Sequence, residues 1–170
     1  HISYESGILE DPRTAPTEDM FRWTRSLATC EPEPEQIEIH FREGVPTRLV
    51  NLTREQSWED ALDLFLALNE MGSRHGIGRI DIVENRFIGI KSRGVYETPG
   101  GTILREAHLD IEGIAMDREV LRLRDMLSPK YAELIYNGFW FSPEMDFLHA
   151  AMQKSQEAID GVVAMTLFRG

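Results

Sequence analysis

Gly78-Arg-Ile-Asp-Ile-Val-Glu-Asn-Arg-Phe-Ile-Gly-Ile-Lys-Ser-Arg-Gly-Val-Tyr-Glu-Thr-Pro99 is the stretch on which the reading of the fold turns. Two short β-branched runs, Ile80 to Val83 and Phe87 to Ile90, flank the turn-prone Glu84-Asn85-Arg86, the pattern of a hairpin. Alternation sends Ile80 and Ile82 to one side and Asp81 and Val83 to the other. The second strand runs on through Lys91-Ser92-Arg93-Gly94 to Tyr96-Glu97-Thr98-Pro99. From Arg74 to Arg93 there are five Arg or Lys against two carboxylates, in a chain of net charge −11. A local basic excess beside two acids suits a small charged ligand, and equally suits surface salt bridges, which charge alone favours.

Outward from the hairpin, the order of elements predicts α+β rather than alternating α/β. Ile37, Ile39 and Phe41 share one face of a strand, and a turn at Glu43-Gly44-Val45-Pro46 leads to a return strand over 47–52. Ser57 is read as a helix N-cap, with Trp58, Ala61, Leu62, Phe65, Leu68 and Asn69 as the packing face. After Pro99 the chain turns helical. Thr102 and Asp117 are taken as caps, the first helix showing Leu104, Ala107, His108, Ile111, Ile114 and Ala115 on its face. Ser128-Pro129 and Ser142-Pro143 read as two further starts, the last helix reaching about Asp160 with Phe147, Leu148, Ala151 and Met152 inward. A strand over 162–168 closes the series. The expected architecture is an antiparallel sheet built from hairpins, with packed helices following. Residues 11–35 hold four prolines, and the run Glu31-Pro32-Glu33-Pro34-Glu35 excludes helix and inner strand, leaving a short helical turn near 19–26.

Composition narrows the classes. The 170 residues suffice for one domain with a real core, and 42% hydrophobic with 28% charged residues is ordinary for a globular protein. No apolar run is long enough for a membrane span, and the acidic balance speaks against nucleic acid as a partner. A single cysteine, Cys30, suggests a reducing, cytoplasmic setting. The chain opens on His1 and closes directly after a strand, which reads as a piece of a longer protein.

Standard catalytic constellations are missing. The five histidines show no metal-ligand spacing, and His108 reads as a core histidine. Cys30 lies in a proline-rich loop, no nucleophile elbow is present, and Gly76-Ile77-Gly78 is a helix stop rather than a dinucleotide fingerprint. Asp81 and Glu84 are the acids of interest. Either receives a ligand amino group or pairs with Arg79 or Arg86, and pairing is the preferred reading of the residues alone. Tyr96 offers a hydroxyl to a ligand or to the interior.

The segments His1-Ile2-Ser3-Tyr4-Glu5, Gly7-Ile8-Leu9-Glu10-Asp11-Pro12 and above all Gly78 to Pro99 carry a resemblance. So do Ala107-His-Leu-Asp-Ile-Glu112, Met116-Asp-Arg-Glu-Val120, Tyr136-Asn-Gly-Phe-Trp140 and Lys154-Ser-Gln-Glu157. In these, end to end and in order, the chain resembles argininosuccinate synthase; residues 13–35 match least. Ser6 stands where that family usually has Gly or Ala, a change expected to alter the turn beside Ser3 slightly. The resemblance implies ATP-dependent joining of citrulline to aspartate, giving argininosuccinate, AMP and pyrophosphate in arginine biosynthesis and the urea cycle. ATP first adenylates the ureido oxygen of citrulline, and the aspartate amine then displaces AMP. It also implies that residues 1–170 are most of the C-terminal synthetase domain, which binds citrulline and mediates homotetramer assembly. ATP, with Mg2+, would be held mainly by an N-terminal ATP-pyrophosphatase-type domain absent from this chain. Carried over by motif, Ser3, Glu84 and Tyr96 match positions that bind citrulline; no catalytic residue or metal ligand is carried over. Arg79, Arg86, Lys91 and Arg93 would shape the surroundings or form structural ion pairs. The alternative is a non-catalytic oligomerisation module, with the Met- and aromatic-bearing helices over 129–160 buried against partner subunits.

Overall fold

Strict alternation drives the central strand. Ile37, Ile39 and Phe41 are all buried while Glu38 and His40 between them are not. The computed structural model describes residues 2–5 and 7–170, so His1, Ser6 and the turn expected beside Ser3 lie outside it. The strands are β1 (Ile2–Tyr4), β2 (Glu35–Arg42), β3 (Val45–Asn51), β4 (Gln56–Trp58), β5 (Arg79–Asn85), β6 (Lys91–Glu97) and β7 (Gly161–Leu167). The α-helices are α1 (Ala61–Arg74), α2 (Pro99–Ala115), α3 (Arg118–Tyr136) and α4 (Pro143–Gln156). Short 3-10 turns occupy Gly7–Glu10 and Glu18–Met20.

The α+β class holds, with the strands divided between two antiparallel sheets. One runs β4-β3-β2-β7 and the other β1-β6-β5. Helices α1 and α2 cover the four-stranded sheet, where Ile37, Ile39, Leu49, Leu64, Leu68 and Ile103 form the heart of the core. Full burial of such side chains stabilises by about 1.5–3 kcal/mol each.

Several expected boundaries shift, each for a local reason. Phe87, Ile88 and Ile90 are not strand but the exposed tip of the β5–β6 hairpin, where Arg86 N–H donates to the Ile90 carbonyl. Gly89 supplies the left-handed backbone there, with φ of 83°. Ser57 lies in β4 opposite Val50, and Asp60 is the α1 cap, its carboxylate accepting from the Leu62 and Asp63 N–H groups. The buried face of α1 is Leu64, Ala67, Leu68 and Met71, whereas Leu62 and Phe65 face outward. Helix α2 starts at Pro99 rather than after Thr102, because Asn69 of α1 receives the Gly100 N–H and fixes that first turn. Pro129 does not begin a helix but sits inside α3, with the Ser128 hydroxyl donating to the Arg124 carbonyl one turn back. Ile114 and Phe147 point to solvent, not inward. In the proline-rich segment the expected turn contracts to Glu18–Met20.

Three buried carboxylates tie these parts together. Glu35, expected outside any inner strand, begins β2 and is buried among Asn51, Arg54, Arg74 and His75. Glu97 accepts from the backbone N–H groups of Arg22, Trp23 and Thr24 and from the Thr24 hydroxyl. Glu112 of α2 meets Arg124 of α3 at 2.6 Å and accepts from Gln156 of α4. His108 lies 3.6 Å from the same carboxylate, with its ring tilted against Phe41.

Burial alone would raise the Glu35 pKa, but hydrogen bonds from Asn51, Arg74 and His75 outweigh it and lower the value from 4.5 to about 2. A depressed carboxylate contributes stability above its unfolded pKa and loses it as pH falls through the folded one. That linkage amounts to about 3 kcal/mol. Resistance to urea should therefore weaken steadily as pH falls from about 4.5 toward 2, and Glu35→Gln should lower stability near neutral pH while flattening that acid slope. Parallel slopes for the two proteins would remove Glu35 as its source.

Candidate functional site

The three-stranded sheet shows two chemically different faces because its side chains alternate. Register places Ser3 opposite Tyr96, Ile80 opposite Tyr96, Ile82 opposite Gly94 and Glu84 opposite Ser92. Ser3, Tyr96, Gly94, Ser92, Ile82 and Glu84 thus belong to one face. Arg79, Asp81, Arg93, Val95 and Glu97 belong to the other.

The second face is structural. Arg93 forks onto Asp81 at 2.7 and 2.9 Å and donates to the carbonyls of Asp11 and Thr14. Arg79 donates to the Thr24 hydroxyl and carbonyl, pairs with Glu18 and stacks on Phe21. Val95 packs with Leu9 and Met20. These contacts fasten the proline-rich segment to the sheet, so Arg79 and Arg93 are engaged away from the first face. Lys91 donates to Asn85 at the hairpin end. Of the basic residues noted in the hairpin, Arg86 alone joins the first face.

On that face one glycine decides the geometry. A Cβ at position 94 would lie 2.9 Å from Glu5 Cγ and 3.2 Å from Tyr96 Cε2. The phenol ring therefore lies over Gly94, and its hydroxyl donates to Glu5 Oε1 at 3.0 Å. Glu84 also lies against that hydroxyl. Burial first, then the hydrogen bonds to Glu84 and Glu5, hold the Tyr96 phenol well above its ordinary value. Arg86 pairs with Glu5, approaches Glu84 Oε2 at 3.8 Å and reaches the Ser92 hydroxyl at 3.3 Å. Tyr136, from the end of α3, donates to Glu84 Oε2 at 3.0 Å. An open cleft of about 610 Å³ lies at the sheet edge next to this cluster, lined by Glu5 and Ser92, by Val83, Lys91 and Arg93 from the other face, and by the Gly7–Glu10 turn; Tyr96, Glu84 and Ser3 are outside its lining.

Tyr96 and Glu84, flagged in the sequence, are thus brought together, and Ser3 sits exposed in the cross-strand row beside Tyr96. Glu5, Arg86, Gly94 and Tyr136 complete the cluster, and none of them stands out as a ligand-site residue in the sequence. Glu5 follows Ser3 by two and Gly94 precedes Tyr96 by two, so period-two alternation carries a signal for both. Tyr136 opens the motif Tyr136 to Trp140 that carries the resemblance, but nothing local marks it as a partner of Glu84.

All 170 residues, 1–170, match the family model described as the arginosuccinate synthase C-terminal domain. The chain belongs to that family. Argininosuccinate synthase of Thermotoga sp. (strain RQ2) is 59% identical over the whole chain, which covers 42% of that relative. The argininosuccinate synthases of Danio rerio and Xenopus tropicalis are each 51% identical, over the whole chain and 41% of the relative. The chain therefore spans about two fifths of the argininosuccinate synthases it matches.

Alkaline titration tests the Tyr96 environment. Of four tyrosines, Tyr96 should contribute no phenolate absorbance near the usual pKa of about 10, so wild type and Tyr96→Phe should overlay there. A missing tyrosine's worth of signal in the variant at that pH would place the phenol in ordinary solvent.

Proposed function

We propose that this chain is the citrulline-binding part of an argininosuccinate synthase. The reaction is ATP-dependent ligation of citrulline and aspartate to argininosuccinate, with release of AMP and pyrophosphate, in arginine biosynthesis. Family membership supports the reaction. The observation that carries the site is the Tyr96 phenol laid over Gly94 between Glu5 and Glu84, in one row with Ser3.

Each residue has a role that its chemistry suits. Citrulline carries an α-ammonium, an α-carboxylate and a neutral ureido group. A carboxylate such as Glu84 receives the ammonium in a charge-assisted hydrogen bond. Arg86 neutralises Glu5, which leaves the cluster one net negative charge for that ammonium. Ser3 and Tyr96 hydrogen-bond the polar ends of the substrate. A phenol whose pKa lies above the ordinary value stays protonated at neutral pH, so Tyr96 acts as a donor and not as a base. The contribution of the site is therefore orientation of the ureido oxygen for attack, not proton transfer.

The described residues contain no group of three or more His, Cys, Asp or Glu arranged to hold a metal ion. Mg2+ has no fitting ligand set among them. ATP and its Mg2+ are assigned to the N-terminal part of the protein. No helix among the described residues is long and apolar enough to cross a membrane. The single cysteine, Cys30, is in keeping with a reducing, cytoplasmic setting, which is the one proposed.

A second role has its own observation. Leu123, Met126, Phe141 and Phe147 on and between α3 and α4 are each at least 60% exposed. Surface of that kind suits contact with other subunits, in keeping with a homotetramer.

In the full-length enzyme, Glu84→Ala should raise KM for citrulline at least about tenfold while KM for ATP moves little. Equal rises in both would remove Glu84 from the citrulline site. The 170 residues alone should show no ligation in a pyrophosphate-release assay with all three substrates; turnover there would refute the placement of the ATP site.

A further inference from the structure

The Glu84 carboxylate is reached from outside its own sheet by Tyr136, the last residue of α3, whose hydroxyl donates to Oε2 at 3.0 Å. The second contact on that oxygen is the Arg86 guanidinium at 3.8 Å. Tyr136 also lies close to Arg86. One turn further on, Phe139 meets Phe87 of the hairpin tip edge-on, with ring centroids 6.1 Å apart. The tip is thus fastened to the α3–α4 corner by one polar and one aromatic contact. Helix α3 is itself anchored to α2 through Arg124 and the fully buried Glu112.

We propose that Tyr136 is a positioning residue for substrate binding, setting the orientation of the Glu84 carboxylate from the helical arm. With Oε2 held by the Tyr136 hydroxyl, the carboxylate presents Oε1 to the substrate ammonium. A carboxylate at the end of an edge strand, beside an exposed hairpin tip, otherwise has freedom about its last side-chain torsion. One hydroxyl bond to a charged acceptor removes that freedom and leaves the charge in place. The same bond makes the site depend on where α3 ends, so displacement of the helical arm is felt at Glu84. This inference rests on Glu84 as the acceptor of the citrulline ammonium.

The test is steady-state kinetics of the full-length enzyme carrying Tyr136→Phe, Glu84→Gln and the double substitution. Tyr136→Phe should raise KM for citrulline about fivefold, with KM for ATP and aspartate and kcat changed less than about twofold. Its melting temperature should match wild type, since a half-exposed residue loses only its hydroxyl. In the Glu84→Gln background the same substitution should cost much less than it does alone, because the group it positions has lost its charge. Multiplicative effects in the double variant, an unchanged citrulline KM in Tyr136→Phe, or equal rises for all three substrates would each overturn the assignment. A melting temperature lowered in proportion to the lost activity would also overturn it, by making Tyr136 merely structural. If Glu84→Gln leaves citrulline KM unchanged, the citrulline-site reading itself fails. If Glu84→Gln raises that KM while Tyr136→Phe does not, the positioning role alone fails.

Discussion

The two-faced sheet depends on the buried carboxylate of Glu97. At the last residue of β6 it gathers the backbone N–H groups of Arg22, Trp23 and Thr24 and the Thr24 hydroxyl. Its burial raises its pKa, and the hydrogen bonds of Thr24, Arg22 and Trp23 more than reverse that, so the group is held as an anion. An ionised carboxylate so enclosed costs several kcal/mol of desolvation unless its donors are in place. The donors come from a segment without regular secondary structure of its own, and the carboxylate thereby dictates where that segment lies. Arg79 and Arg93 complete the attachment. With one face covered in this way, Tyr96 beside Glu97, and Ser3 opposite Tyr96, face the other way.

Charge is partitioned along the same division. The basic excess of the hairpin is largely taken up in fastening: Arg93 on Asp81 and loop carbonyls, Arg79 on Thr24 and Glu18, Lys91 on Asn85. What remains on the other face is one guanidinium among two carboxylates and a protonated phenol. The salt-bridge reading of the basic excess thus holds for most of it, and what is left is a face of chemistry suited to an ammonium.

Legibility in the sequence follows the range of the interaction. Ile37, Ile39 and Phe41 announce a half-buried strand by themselves, and the strand alternation of Ile80 and Ile82 is equally local. The face of α1 is ambiguous because Leu62, Phe65 and Leu66 offer a second apolar stripe, and periodicity cannot say which one meets the sheet. Phe87, Ile88 and Ile90 have strand propensity, yet Gly89 and the Arg86–Ile90 turn override it. Buried carboxylates leave no local mark, since Glu35 meets His75 and Glu97 meets Arg22 far along the chain. For the candidate site, Ser3, Glu84 and Tyr96 come through motif resemblance, while Tyr136 reaches Glu84 only once α3 is folded against the hairpin.

Gly94 gives the site an asymmetry of its own. The surface under the Tyr96 ring is bare backbone, already in contact with what lies above it. Any substitution there adds atoms, and none can take atoms away. A side chain at this position would have to displace Glu5 or the Tyr96 phenol, so the cluster has no room for bulk there. Drift at this position runs in one direction, toward loss.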